Sequence, residues 1–431
     1  MTTPTTRIDV HHLTRVEGHG NIVVDVRNGI IEQCDLQIVE APRFMEAMLR
    51  GRPYTQAPLL ASRICGICAV AHATASLRAV EQALDIVPSP QTTLLRQLNF
   101  CGEILDSHIL HTYMLVAPDL LGLGSVLPLA ATQPEVVTRA LRMKNVAGDL
   151  CAAIGGRHTH PIAMTVGGFT HFPTAAELEA LGERLEAMRA DMADTVALFK
   201  ELALPTFARE TEYLALRPTE GYEFMGDTIA SSDGGTWPVT QYRQVTNEFQ
   251  VSHSTAKRAR HRRDSYMVGA LARFNLNDDR LHPQAQAAAQ TLHLAPGSQN
   301  SYLISLAQVV EMVHCLETAV TLIQQLLTDG IKPEPPVKPG RLSGMGVGAV
   351  EAPRGTLYHE YEIKGGMIAE ANCVIPTAQN LANIEADMRA LLPHVLDRPP
   401  DGIKLALEML VRAYDPCISC ATHTLQVAFV E

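Results

Sequence analysis

The chain has 431 residues, 46% hydrophobic and 19% charged, with a formal net charge of −11. That profile is a globular protein with a large core, and its acidic balance excludes nucleic acid as the main partner, which selects clustered Lys and Arg. The first twelve residues lack the apolar stretch of a signal peptide, and no uncharged apolar run reaches the roughly 18 residues of a membrane span, so the expectation is a protein that does not span a membrane.

In chain order, "NIVVDV" and "IIEQCDLQIVE" flank "RNG", and Asn28-Gly29 predicts a tight hairpin. From about 58 to 330 the pattern becomes mostly helical, with helices predicted at 93–115, 175–202 and 301–330. The second carries Leu178, Leu181, Leu185, Met188, Met192 and Phe199 on one stripe. The third is apolar nearly all round, as a central bundle helix is. The basic run 257–263, "KRARHRR", reads as a solvated loop or a docking patch. A second hairpin is expected over 359–376, turning at Gly365-Gly366. Helices follow at 379–392, with Thr377 as N-cap, and at 402–415, stopped by Pro416. The fold class expected is α+β, predominantly helical: one domain over 1–431, with a large central helix bundle and small antiparallel sheets from the terminal regions.

Nine cysteines are present. Cys34, Cys101, Cys151, Cys315 and Cys373 stand alone in mostly apolar stretches, as inert buried thiols do. The other four form two pairs of equal spacing, Cys65/Cys68 and Cys417/Cys420, each followed by a histidine, His72 and His423. Cys-x-x-Cys at a helix start aims both sulfurs at one point, and four thiolates are soft ligands. On spacing alone they suit zinc, an iron–sulfur cluster or a thiophilic redox metal. A structural zinc site closes short loops in small units, whereas this set spans most of the chain, so a redox or catalytic metal is favoured. Histidines 108 and 111 share a helical face and read as satisfied core residues or as ligands.

"RICGICAVAH" and "DPCISCATH" resemble the two signatures of nickel–iron hydrogenase large subunits. "RVEGHG", "PRFMEAMLRGRP", "GGRHTHPIAMTVGGF", "EAPRG" and "VIPTAQN" are similar to the family's further motifs, in order, over nearly the whole chain. Compact length and "RAYDPCISC" look most like the cytosolic, multi-subunit branch, sulfhydrogenase-like or NAD(P)-linked. The resemblance implies reversible heterolytic H2 oxidation at a nickel held by four thiolates, two of them bridging to an iron that carries CO and cyanide. Cys65 and Cys417 would be terminal on nickel, and Cys68 and Cys420 the bridges. Arg354 would sit over the open metal position with Asp415, and Cys417 or Arg354 would take the proton. Glu17 would relay it, hydrogen-bonded to Cys417. Pro376 and Thr377 would contact the cofactor, Thr377 through a cyanide, and His72 would donate to a bridging sulfur. Glu46, the Cys373 carbonyl and His423 would hold a magnesium ion. Where membrane-bound relatives carry an aspartate above the metals, this chain has Ser107. Implied partners are an iron–sulfur small subunit, flavin-bearing NAD(P) diaphorase subunits, metallochaperones and a maturation protease that removes 424–431. A hydrogen-sensing regulator and a zinc-stapled, non-catalytic interaction subunit are the alternatives.

Overall fold

The computed structural model describes residues 6–219, 221–222 and 224–422. The first sheet is antiparallel, in order β1 (Thr6–Val10), β2 (Gly20–Arg27) and β3 (Ile30–Ile38). The β2–β3 turn is the expected Asn28-Gly29, both left-handed. Along β2 every second residue from Gly20 to Val26 is buried, which lays one apolar face on the helical core.

The helices that follow build the bundle. They are α1 (Ala69–Ala83), α2 (Pro90–Ile109), α3 (Pro134–Gly155), α4 (Ala175–Glu201), α5 (Ala270–Asn277) and α6 (Ile304–Asp329). Helix α2 starts on Ser89, whose side chain caps Thr92 N, and runs on as a wider π-helical stretch over Leu110–Val116. Helix α4 opens on a reciprocal Thr174/Glu177 capping box and buries its expected stripe from Leu178 to Phe199. Helix α6 is long and apolar enough by composition to cross a membrane, yet 83% of its most apolar window is buried inside the fold, as a core helix is.

A second antiparallel sheet comprises β4 (Gly344–Ala352), β5 (Gly355–Lys364) and β6 (Met367–Val374). It packs on α1 through Gly344, Gly346 and Gly348, which face the backbone of Ala83, Ala79 and Ala75. Alternate strand residues thus meet every fourth helix residue, the two periods lying along one line. The chain continues into α7 (Pro376–Leu391), α8 (Pro400–Ala413) and the short α9 (Ile418–Ala421).

Three sequence expectations change. The middle of the chain is not only helical: Glu212–Leu216, Thr228–Ser231, Thr236–Pro238 and Tyr266–Met267 form a four-stranded mixed sheet. These strands are two to five residues long, too short for period-two alternation to show. The basic run is not a freely solvated loop over most of its length. Lys257 pairs with Glu248, Arg258 with Glu385, His261 with Glu212 and Arg263 with Asp233 and Glu210, and Arg258 is buried. Thr377 is not an N-cap, because α7 already begins at Pro376, whose fixed φ and missing N–H suit a first helical position.

Candidate metal centre

Both cysteine pairs are placed by helix starts. Cys65 ends a short 3-10 turn, Cys68 is the N-cap of α1, and Cys417 is the N-cap of α9. The two ends of the chain are joined directly: Glu17 and Cys417 form a parallel bridge, and Ile418 N donates to Glu17 O at 3.0 Å. The ligand atoms of Cys65, Cys68, Cys417 and Cys420 all lie within 4.8 Å of one another, and all four residues are buried. Cys65 Sγ is 3.5 Å from Cys417 Sγ, and Cys68 Sγ is 3.8 Å from Cys420 Sγ. Sulfurs bound to one metal at about 2.3 Å stand roughly 3.8 Å apart in a tetrahedral set. Those two separations match that span, while Cys417 Sγ and Cys420 Sγ stand closer, at 2.7 Å. Cys65 Sγ also accepts from Ile67 N at 3.2 Å and Cys68 N at 3.3 Å. Hydrogen bonds from Cys417, Cys420 and Cys68 hold the Cys65 thiol well below the ordinary range. Cys420 is pushed well up, chiefly by burial.

Four soft donors from opposite ends, in a dry pocket, fit a thiophilic metal centre. What lies over them exceeds the needs of a structural staple. Arg354 is one of the two residues at the β4–β5 turn, since Ala352 and Gly355 are already paired. It is 5% exposed although it is a turn residue. Its Nε donates to Asp415 O at 2.6 Å, its Nη2 to Asp415 Oδ1 at 2.8 Å, and its Nη1 lies 3.5 Å from Ser107 Oγ. Burial opposes its charge, but Asp415 and the thiols of Cys417, Cys68 and Cys65 hold the guanidinium's pKa well above its ordinary value. Asp415 has a left-handed backbone, φ 51°, and Gln308 Nε2 donates to its Oδ2 at 3.3 Å.

The remaining candidates fall as follows. The Glu17 carboxylate is half-buried and accepts from Ser419 N at 3.0 Å, so its hydrogen bond is to that amide and not to the Cys417 sulfur. Thr377 Oγ1 accepts from Cys417 N at 2.9 Å, tying α7 to the second cysteine pair, and Pro376 is buried beside it. His72 Nδ1 faces His359 Nε2 at 3.1 Å, and His359 Nδ1 faces Tyr361 OH at 2.7 Å. Glu46 and Cys373 are both buried, and burial together with Glu46 pushes the Cys373 thiol well up. His423 and the segment 424–431 lie outside the described residues. His108 and His111 are core residues, as the more conservative reading had it: His108 Nε2 lies 2.8 Å from Glu311 Oε2, and His111 Nε2 donates to Arg412 O at 2.7 Å.

Sequence reasoning missed Glu103, Arg273, Gln308 and Glu311. Glu103 is buried on α2 and accepts from Val70 N at 2.5 Å and Ala71 N at 2.9 Å, capping the helix that carries Cys68. Burial, with Cys65 and Asp106 adding, pushes its carboxyl well up. An isolated polar or charged residue in an apolar helix was the available signal, in "GALARFN" for Arg273 and "AQVVEMV" for Gln308 and Glu311.

A family model described as nickel-dependent hydrogenase matches residues 43–139 and 222–423. The chain is 33% identical to sulfhydrogenase 1 subunit alpha of Pyrococcus furiosus, over 97% of this chain and 98% of that one. It is 28% identical to the beta subunit of the NAD-reducing hydrogenase HoxS of Cupriavidus necator, over 97% and 95%. A crystal structure of an NAD+-reducing NiFe hydrogenase in the H2-reduced state superimposes with a TM-score of 0.88 at 28% identity, covering 97% of this chain and 99% of that chain.

Proposed function

Because the chain belongs to the nickel-dependent hydrogenase family, whose members are oxidoreductases acting on H2, we propose that its cysteine quartet holds a nickel–iron pair, with Cys65 and Cys417 terminal on nickel and Cys68 and Cys420 bridging to an iron that carries CO and cyanide. The observation that carries this reading is the convergence of four thiols from both ends of the chain beneath a buried Arg354–Asp415 pair. When bound, such a metal pair supplies the Lewis acidity that lets H2 split heterolytically.

The chain's own residues handle the proton. Cys417 is the base, at Sγ. A guanidinium held charged by Asp415 is a poor acceptor, so Arg354 acts as a fixed positive charge that helps keep water out. Glu17 takes the proton onward: its backbone is bridged to Cys417, and its half-buried carboxylate links the pocket toward solvent. Pro376 and Thr377 would contact the cofactor, and Thr377 sets the backbone of Cys417. His72, whose Nδ1 lies 3.1 Å from His359 Nε2, would donate to a bridging sulfur. Glu46, the Cys373 carbonyl and His423 would hold a magnesium ion.

Electrons leave through another chain. The five other cysteines are buried and free, and the quartet is the only all-cysteine group of metal-ligand geometry among the described residues. An iron–sulfur small subunit is therefore the partner, followed by flavin-bearing NAD(P) diaphorase subunits as the NAD-reducing relative suggests. An enzyme coupled to NAD(P) works in the cytoplasm. Residues 424–431 are a maturation extension, cut by a protease after metallochaperones have loaded the site.

Nickel and iron in comparable amounts, together with infrared bands of CO and cyanide, test the centre. Zinc alone would refute it. Mass spectrometry of the mature chain tests the extension: an end at His423 is expected, and an intact Glu431 in active enzyme overturns cleavage.

A further inference from the structure

We propose that Arg273 is a positioning residue, a buried clamp that fixes Arg354 over the cysteine quartet by holding the two carbonyls that precede it. The proposal rests on the reading of Arg354 given above.

Arg273 is 1% exposed on α5. A guanidinium has five N–H donors in a rigid fork, and all five are used. Nε donates to Glu311 Oε1 at 2.5 Å and Nη2 to Glu311 Oε2 at 2.7 Å. Nη1 donates to Glu351 Oε2 and to Ala352 O, each at 3.0 Å, and Nη2 donates to Pro353 O at 3.0 Å. The last two carbonyls immediately precede Arg354 in the turn. The helix bearing the clamp also touches that turn: Gly269, at its N-cap, has φ +114°, and a methyl added there would meet Arg354 O at 3.0 Å.

Glu311 ties the clamp to the other groups around Arg354. It lies one helical turn from Gln308, which donates to Asp415 Oδ2. Its Oε2 also meets Nε2 of His108, the neighbour of Ser107, and Tyr222 OH donates to its Oε1 at 2.6 Å. Arg354, Asp415 and Ser107 are therefore each held from a common layer on α2 and α6. An isolated buried ion pair is weak evidence of stabilisation. A saturated fork whose two spare donors reach the backbone of a functional turn fixes geometry, which is what a charge over a reacting centre requires.

The test is Arg273→Lys in the complete enzyme. Lysine keeps the charge but cannot hold Glu311 side-on and reach two carbonyls as well. Turnover is expected to fall about 10- to 100-fold, the range for residues that orient others, with nickel and iron content unchanged. Added to Arg354→Lys, the substitution is expected to cost little more, because the two act as one unit. Arg96→Lys is the comparator: it disrupts another buried Arg–Glu pair, with Glu81, and its effect should multiply with that of Arg354→Lys. Amide hydrogen exchange over residues 350–358 should quicken in Arg273→Lys, with or without metals. Multiplicative loss with Arg354→Lys, or unchanged exchange over 350–358, overturns the clamp. Should Arg273→Lys not fold, Glu351→Gln removes one charged partner and is expected to show the same pattern more weakly. A wild-type protein without nickel or H2 turnover refutes the functional reading instead, and the exchange measurement still decides the clamp.

Discussion

Gly348→Ala should disable the metal centre from a position outside it. A methyl on Gly348 would lie 2.5 Å from Ala79 N and closer still to Ala75 O, whereas ordinary contact begins at 3.4 Å. The shortfall is about 1 Å against helix backbone, which cannot rotate aside as a side chain can, and close-packed interiors transmit such strain. Either α1 shifts off the sheet or β4 does. Helix α1 carries Cys68 and His72 on its first turn, and β4 leads into the Arg354 turn, so both outcomes spread the site. Overpacking of this kind costs about 1–3 kcal/mol. A misplacement of about 1 Å at the chemistry costs on the order of 100-fold in rate. The assay is H2 oxidation with an artificial electron acceptor, alongside nickel and iron content and the melting temperature. Gly124→Ala, where nothing lies within 4 Å, is the control and should match wild type. A Gly348→Ala enzyme with full metal, unchanged melting and turnover within about twofold of wild type would refute the argument that the glycine stripe sets the distance between helix and sheet.

Glu17→Gln keeps an acceptor for Ser419 N but cannot relay a proton, so H2 oxidation should fall by about 100-fold or more with metals retained. Full-rate turnover removes Glu17 from the path. Thr377→Val leaves the Cys417 N–H without its partner in a buried site, at a cost of roughly 1–3 kcal/mol, while Thr377→Ser should recover most of it. Equal melting of the valine and serine variants would count against that bond. His314 gives a pH dependence. Its Nδ1 accepts from His282 N at 3.1 Å and its Nε2 donates to Tyr222 O at 3.1 Å, so the neutral ring is satisfied and protonation breaks a bond. Burial lowers its pKa to about 4, so its contribution is present above the unfolded value of about 6.5 and is lost as pH falls toward 4, by roughly 3 kcal/mol. His314→Gln should flatten the stability–pH curve between those values, and an unchanged slope there disproves the assignment.

The sequence made some parts of the molecule readable and hid others for physical reasons. Long elements announced themselves by period and punctuation: Asn28-Gly29 for the first hairpin, the leucine and methionine stripe of α4, Gly330 at the end of α6. The cysteine pairs were readable because their spacing is local, and a helix start fixes what two sulfurs three residues apart can do. Contacts made by distant residues were not. Nothing near Thr377 says that its hydroxyl will serve Cys417, forty residues on, and the local rule that made it an N-cap was outweighed by Pro376 taking the first helical position. Arg273 is harder still: a lone charge in an apolar helix hints at a buried role, but its five hydrogen bonds go to four residues on α6 and at the end of β4 with its turn, which nothing near it in sequence names. The two kinds of information divide along a physical line. Residues that touch the metals must offer particular donor atoms, which restricts their identity and spacing and leaves a motif. Residues that orient them need only arrive at the right place with any group that satisfies the hydrogen bond. Their constraint is three-dimensional, and folding has to bring them together before it can be seen.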